Sequence, residues 1–584
     1  MQNHFPDHNP DGRQVKSRGI PFMLLMALSV GAVAGVGAWA FRMLIGLIHN
    51  GLFLGQFVFV YDANIYTPAG PWGIGVILVP VAGALVVAWL VKNFAPEAKG
   101  HGVPEVMDAI YHNEGRIRPR VALVKSLASA ISIGSGASVG REGPIVQIGS
   151  AFGSTLGALF PMQVSDRVTL IAAGAGAGIA ATFNAPLGGI IFAIELLMVS
   201  INARNLLVVT VATVVATRIS HFLLGTAPSF YVPSLQAPDL HLINYSSLIA
   251  FGVLGILMGL LSVAFIRGLY WMEDVFEAIP GNYYSRHALG MLCVGVMIYL
   301  LLQNTGHYFV EGVGYASIMD ILQGSLLNPW FLLLLASLKL LATCLSLGSG
   351  ASGGVFSPAL FMGATGGAAF GHLCQAWIPD LDIGIATFAI AGMAAVVGGS
   401  TGAVLTAIVM LMEMTMDPSV TLPLLVTCAV AYAVRKSIMH DSIYTMKLRA
   451  RGHSVPQGLH TATLTSQRVS DLMAKDFVVV PQGSERPPGA TVVVNELHGV
   501  VTDVYLDAKK SPASIGDTEK GRPVRYHFLS EDATPLTAVT AFWESDAELV
   551  LVSRDPGARR AEDLVGVVTP NTLAQVLKTN AGLS

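Results

Sequence analysis

The sequence predicts an all-α polytopic membrane domain built from two repeats with broken helices, followed by a small soluble α/β domain. Three observations carry that prediction. Of 584 residues, 53% are hydrophobic and only 12% charged, with a mean hydropathy of +0.60, whereas a soluble globular chain carries about 25% charge. The glycine-rich stretch from Gly134 to Pro144 (GSGASVGREGP) returns from Gly348 to Pro358 (GSGASGGVFSP), and each copy follows a lysine at the same distance, Lys125 and Lys339. From about Gly452 onward the chain turns polar and charged, with short β-branched runs.

Residues 1–19 form a polar tail with Arg13, Lys16 and Arg18 just ahead of an apolar run from Ile20 to Leu47. That run is too long for the apolar core of a signal peptide, so the tail is expected in the cytoplasm. The same excess of positive charge assigns to the cytoplasm the loop with Arg116, Arg118 and Arg120, and the segment with Arg435, Lys436, Lys447, Arg449 and Arg451. Two cytoplasmic ends require an even number of full crossings. Segments 73–92, 247–267 and 328–347 can span a bilayer; 121–133, 145–160, 167–182 and 186–200 are short and interrupted by Gly or Pro. Lipid cannot satisfy the open backbone groups of a helix that stops part-way, so such ends must face protein or a water-filled cavity. Interrupted segments at corresponding positions of two halves point to a substrate site near the midplane.

The halves align at two further places. Gly100-His101-Gly102 with Met107-Asp108 corresponds to Gly312-Val313-Gly314 with Met319-Asp320, and Gly174 to Glu195 corresponds to Gly392 to Glu413. The repeats therefore cover about 20–225 and 245–437 within a membrane domain of about 20–450. A linker (451–465) leads to the soluble domain (466–584). Its strand-like runs are Val478 to Val480, Thr491 to Val494, Leu549 to Val552 and Leu564 to Val568; helical patterns cover Leu536 to Phe542 and Thr572 to Leu577. Cys293, Cys344, Cys374 and Cys428 lie in apolar segments without CxxC spacing and read as small buried hydrophobes.

The chemistry of the duplicated stretch follows from helix ends. A helix N-terminus offers free N–H groups and about half a positive charge, and glycines let the backbone approach an ion closely. Two such starts can surround one dehydrated anion; the alternative is close helix packing through small residues. Glu142 is an ionisable group in a membrane segment, where a functional role is the default. Beside an anion site its carboxylate competes with the anion for the same amides, and protonation releases it. The alternative for Glu142 is an ion pair with Arg141 that anchors the loop.

Gly140-Arg141-Glu142-Gly143-Pro144 matches the GREGP motif of the CLC family of chloride channels and chloride/proton antiporters. Gly100 to Glu105 is similar to that family's GSGIPE, and Gly354-Val355-Phe356-Ser357-Pro358 to its GxFxP. Tyr444 resembles the central pore tyrosine, and Asn184-Ala185-Pro186 with Glu195 the segment of the internal glutamates. The resemblance covers about 20–450. It implies inverted repeats and a homodimer in membrane lipid with one anion pathway per subunit. It implies chloride as the bound substrate, held by amides at Val355 and Phe356 and by the Tyr444 hydroxyl, with His101, Gly102, Arg141 and Gly143 in the loops at the anion. Glu142 would be the gating glutamate and, with Glu195, a proton carrier. No cofactor or metal is required.

Two departures stand out. The motif serine that meets the anion is His101 here, whose imidazole either donates an N–H to the ion or turns away and leaves binding to backbone amides. Proton-coupled members read Glu-Glu where this chain reads Glu195-Leu196, and leucine carries no proton. The expected function is chloride transport that is channel-like or weakly proton-coupled. The alternatives are a chloride/proton antiporter on the same fold or a fluoride-transporting relative, the latter opposed by Pro144 and Tyr444. No nucleophile, metal cluster or nucleotide loop supports an enzyme, and a net charge of −3 without a basic cluster gives no reason for nucleic acid. The tail resembles a pair of CBS modules, opening at Val469 to Met473 and again over His527 to Leu577. Such pairs bind adenine nucleotides, with Thr569 and Asp532 as candidate contacts, or serve as ligand-free dimer supports. Short Gly-rich helices without long insertions suggest a bacterial inner membrane.

Overall fold

The structure, a computed structural model, describes residues 18–160, 162–198, 201–232, 245–378, 383–453, 468–484, 492–506, 523–544, 547–557, 559–570 and 572–573. The expected basic tail (except Arg18 and Gly19), most of the linker and most of the Thr572 to Leu577 helix lie outside them. The chain divides into two compact units, Met1–Val455 and Pro456–Ser584.

The first unit is helical. Its first half runs α1 (Ile20–His49), α2 (Leu78–Phe94), α3 (Val103–His112), α4 (Pro119–Gly134), α5 (Glu142–Leu159), α6 (Val164–Phe183), α7 (Pro186–Phe192, extended by a π-helical turn Ala193–Leu197) and α8 (Ala203–Leu224). Its second half runs α9 (Tyr245–Ala278), α10 (Tyr283–Thr305), α11 (Tyr315–Leu322), α12 (Pro329–Ser349), α13 (Phe356–Trp377), α14 (Ile385–Thr401), α15 (Val404–Thr415) and α16 (Thr421–Ile438); α17 (Ile443–Ala450) follows. Seven of the described helices are long and apolar enough to cross a membrane. Others, such as α3 and α11 with 10 and 8 residues, stop part-way.

Equivalent contacts recur within the two halves, and reciprocal ones join them. Lys125 Nζ donates to Ala98 O (2.9 Å) and Gly100 O; the equivalent Lys339 Nζ donates to Val310 O (3.0 Å) and Gly312 O (2.8 Å). Ser129 Oγ meets Ser352 Oγ at 2.9 Å, and the equivalent pair, Ser138 and Thr343, meets at 3.1 Å. Gly140 and Gly354, themselves equivalent, pair antiparallel through hydrogen bonds of 2.7 and 2.6 Å. Exchange of equivalent partners is what a local two-fold axis between the repeats produces.

Some glycines do serve packing. Gly149 of α5 and Gly174 of α6 face each other's carbonyls so closely that a Cβ on either would collide, and Gly363 of α13 repeats this with Gly392 of α14. Cys344, Cys374 and Cys428 are buried, but Cys293 is exposed on α10. In a membrane helix an apolar side chain gains nothing by facing inward, because lipid is equally apolar.

The second unit is α/β and repeats one topology. In each three-stranded sheet the first strand runs parallel to the second and the second antiparallel to the third: β1 (Val478–Pro481), β2 (Val492–Leu497), β3 (Val500–Leu506), then β4 (Tyr526–Ser530), β5 (Leu549–Ser553), β6 (Leu564–Val568). Two helices, α18 (Val469–Leu472) and α19 (Pro535–Glu544), accompany them. Val492 and Val494 share a core with Leu549, Leu551 and Val567, so the sheets stabilise one another. This duplication fits the expected module pair. Strands β3 and β4 were not among the expected runs. Asp532 pairs with Arg468 at 2.6 Å, and Thr569 Oγ1 meets Thr572 Oγ1 at 2.9 Å.

Candidate anion site

Three helix starts meet at the two-fold axis. Some helix starts of this unit are capped by a side chain, as where Asn328 accepts from the amides of Trp330 and Phe331 on α12 and Ser442 from those of Tyr444 and Thr445 on α17; others, such as α4 and α14, carry no such cap. The helices that begin after Gly102 (α3), Arg141 (α5) and Val355 (α13) have no side-chain cap. Their loops are stitched together by backbone bonds, Gly140 with Gly354 as above, Gly100 N to Ala351 O (3.0 Å) and Gly353 N to Gly100 O (3.3 Å). The result is a cluster of positive helix ends in the protein interior.

Glu142, the first residue of α5, occupies that cluster at 3% exposure. Its Oε1 accepts the Ser357 hydroxyl, on the residue that follows Phe356 in the first turn of α13. Because the Ser357 proton goes to Glu142, Tyr315 O–H donates to Ser357 Oγ at 2.8 Å. Oε2 is buried without a partner. A Cβ on Gly140 or Gly354 would run into it, so these two glycines make room for a carboxylate, not for a helix contact. Arg141 takes no part. Its guanidinium donates to Thr182 O (3.3 Å) and stands over the rings of Tyr315 and Phe183, at 5.2 and 5.7 Å. The expected alternative, an Arg141–Glu142 anchor, is replaced by this cation–π arrangement.

Val355 and Phe356 lie at the start of α13, both buried, and Gly102 and Gly143 touch where α3 and α5 begin. Gln147, one turn along α5, is 1% exposed, and its Oε1 has no partner. Tyr444 in the first turn of α17 is 3% exposed, and the His101 ring meets it edge-on at 6.0 Å. The imidazole is 1% exposed. Tyr270 O–H donates to Ile443 O at 2.6 Å, so its oxygen accepts from His101 Nε2 at 3.3 Å. That arrangement places the proton of a neutral imidazole on Nε2. Nδ1, buried without a partner, is then a lone pair and cannot donate to an anion unless the ring takes up a second proton. Cations gather beside this end. Lys447 Nζ lies 3.5 Å from Glu105 Oε1, and Arg451 holds both Glu105 oxygens at 2.7 and 3.0 Å.

Glu195 is engaged elsewhere. On the π-helical turn after α7 it accepts from Leu405 N (3.1 Å), Thr406 N (2.8 Å) and Thr406 Oγ1 (2.7 Å), which makes it the cap of α15. Leu196, next to it, is half-buried. Ser357, Tyr315, Gln147 and Tyr270 are site residues that motif reading passed over. Ser357 had a signal, since it stands in the second repeat where Gly143 stands in the first. Tyr270, towards the C-terminal end of a long apolar helix, had none.

A family model described as voltage gated chloride channel matches residues 83–436. A protein of Vibrio parahaemolyticus named H(+)/Cl(-) exchange transporter ClcA is 33% identical over 449 residues, 74% of this chain and 91% of that one. Among solved structures, a slow cyanobacterial Cl-/H+ antiporter is 29% identical with a TM-score of 0.64, covering 75% of this chain and 99% of that one. A eukaryotic CLC transporter shares the fold over 94% of this chain and 97% of its own, at 18% identity and a TM-score of 0.61.

Proposed function

Since the chain belongs to the voltage-gated chloride channel family, we propose that it exchanges chloride for protons across a bacterial inner membrane, as a homodimer with one pathway in each subunit and both termini in the cytoplasm. The observation that carries this reading is Glu142. Its carboxylate sits where three uncapped helix starts converge, one oxygen held by Ser357 and the other open. A carboxylate bound as an anion is displaced by an anion, and a proton makes that displacement favourable by removing its charge. Chloride then takes the amides at Val355 and Phe356. Each cycle couples proton uptake at Glu142 to anion movement.

The names of the relatives favour exchange over a channel, because both the Vibrio protein and the cyanobacterial structure are named as proton-coupled. Leu196 supports the second reading, a pathway with weak or no coupling, because the side chain there cannot relay a proton. In either reading His101 offers its side chain to the anion only as an imidazolium. The experiment is simultaneous chloride and proton flux from proteoliposomes under a chloride gradient with no proton gradient. Protons driven uphill support exchange; chloride flux at constant pH overturns it in favour of the uncoupled pathway.

A further inference from the structure

Three side chains from two distant stretches of the sequence converge at the C-terminal end of α3. Asp108 and His112 are one turn apart on α3, and so project from the same face. His453 comes from the chain just after α17, and its Nδ1 lies 2.6 Å from Asp108 Oδ1. The rings of His112 and His453 are 4.7 Å apart and tilted by 34°. One ligand atom from each of the three residues lies within 4.8 Å of the others. Motif reading found no metal cluster because the spacing is neither local nor cysteine-based; Asp108 and His453 are 345 positions apart.

We propose that Asp108, His112 and His453 bind a divalent transition metal of the zinc class, and that this metal clamps α3 to the end of α17. Two imidazoles and one carboxylate suit zinc, cobalt or nickel, whereas magnesium and calcium require oxygen-rich sets. Bonds of about 2.0–2.1 Å call for a modest rotation of these side chains, with water completing a tetrahedron. Partial exposure of all three residues gives the ion a way in from water.

The position gives the ion a consequence. α3 starts beside His101, and α17 carries Tyr444 in its first turn, so these two helices bring together the two rings that meet at 6.0 Å. Arg451 on Glu105 is one tie between them. Lys447 on the same carboxylate is another, and a metal bridging Asp108, His112 and His453 adds a further tie through coordinate bonds. It holds the His101–Tyr444 spacing closed and slows anion passage. The clamp rests on the transport reading above; metal binding itself does not.

The test uses the purified full chain with any histidine tag removed. Zinc is titrated calorimetrically, and cobalt is followed by its visible absorption. The expected result is one ion per chain, weakened at least tenfold in Asp108→Ala, His112→Ala and His453→Ala, each with unchanged elution and unfolding temperature. The absence of binding, or unchanged affinity in the His112→Ala/His453→Ala double variant, overturns the site. In proteoliposomes zinc should lower chloride flux in the native chain and leave His453→Ala unaffected. Binding without any effect on flux overturns the clamp. A protein that binds zinc but carries no chloride under any condition refutes the transport reading and leaves the metal site standing.

Discussion

Glu195 and Glu413 cap each other's helices. Glu195, at the end of α7, accepts the amides of Leu405 and Thr406 at the start of α15, and Glu413, on α15, accepts those of Leu187 and Gly188 at the start of α7. The four partners are equivalent under the repeat, so the arrangement is a symmetric pair of anion-at-N-terminus contacts. Glu195 is thereby a structural acceptor. Glu195→Gln and Glu413→Gln should each cost roughly 1.5–3 kcal/mol, the worth of hydrogen bonds to a charged group. Unfolding in detergent should show shifts of similar size for both. The proton-to-chloride ratio of Glu195→Gln should match the native protein; a lost ratio would make Glu195 a proton carrier after all.

Glu142→Gln should abolish the response of chloride flux to pH. In the native chain flux should rise as pH falls, because protonation removes the negative charge that competes with an anion for the Ser357 hydroxyl and the helix start around it. The amide is neutral at every pH and mimics the protonated state, so flux should be high and flat, and proton transport absent. Flux measured from pH 4 to 8 decides this, and a retained slope would place the gate elsewhere.

The candidate gate, Glu142, was legible in the sequence because a charged residue inside a duplicated glycine stretch has few structural uses in a membrane. The repeat was legible for the same physical reason. Gly140 and Gly354 must lack a Cβ so that the Glu142 carboxylate can fit, and Lys125 and Lys339 must each hold two buried carbonyls. Tyr270 and Gln147 were not legible. Their roles depend on which face of a helix meets α3, a tertiary fact that no local pattern encodes. The surroundings of Arg141 were not legible either, since the rings of Tyr315 and Phe183 reach its guanidinium from other helices.

His101→Ser should make chloride affinity less sensitive to pH. With Nε2 committed to Tyr270, the native imidazole offers Nδ1–H to the ion only when doubly protonated. Affinity in the native chain should therefore strengthen at low pH, whereas a serine hydroxyl donates at any pH. The measurement is calorimetric chloride binding in a Glu142→Gln background, which removes the titration of the gate. A native-like pH slope in His101→Ser would mean that the imidazole faces away and backbone amides alone hold the ion. Tyr270→Phe provides the control. It frees Nε2–H without changing charge, and it should raise affinity at neutral pH if the imidazole adjoins the ion.

Leu196→Glu should raise the number of protons moved per chloride. Leu196 sits half-buried on the π-helical turn that carries Glu195. Its neighbour's carboxylate is fully engaged by α15, so this turn supplies no free titratable group. A carboxyl at 196 would add the missing relay on the same turn without disturbing the Glu195 cap. If the native chain exchanges protons slowly because of the leucine, the substitution should increase proton flux severalfold at unchanged chloride flux. An unchanged ratio in a native protein that is already coupled would mean that protons reach Glu142 by a route independent of this turn. The search would then move to His101 and Tyr270, whose hydrogen bond ends beside the cations of α17.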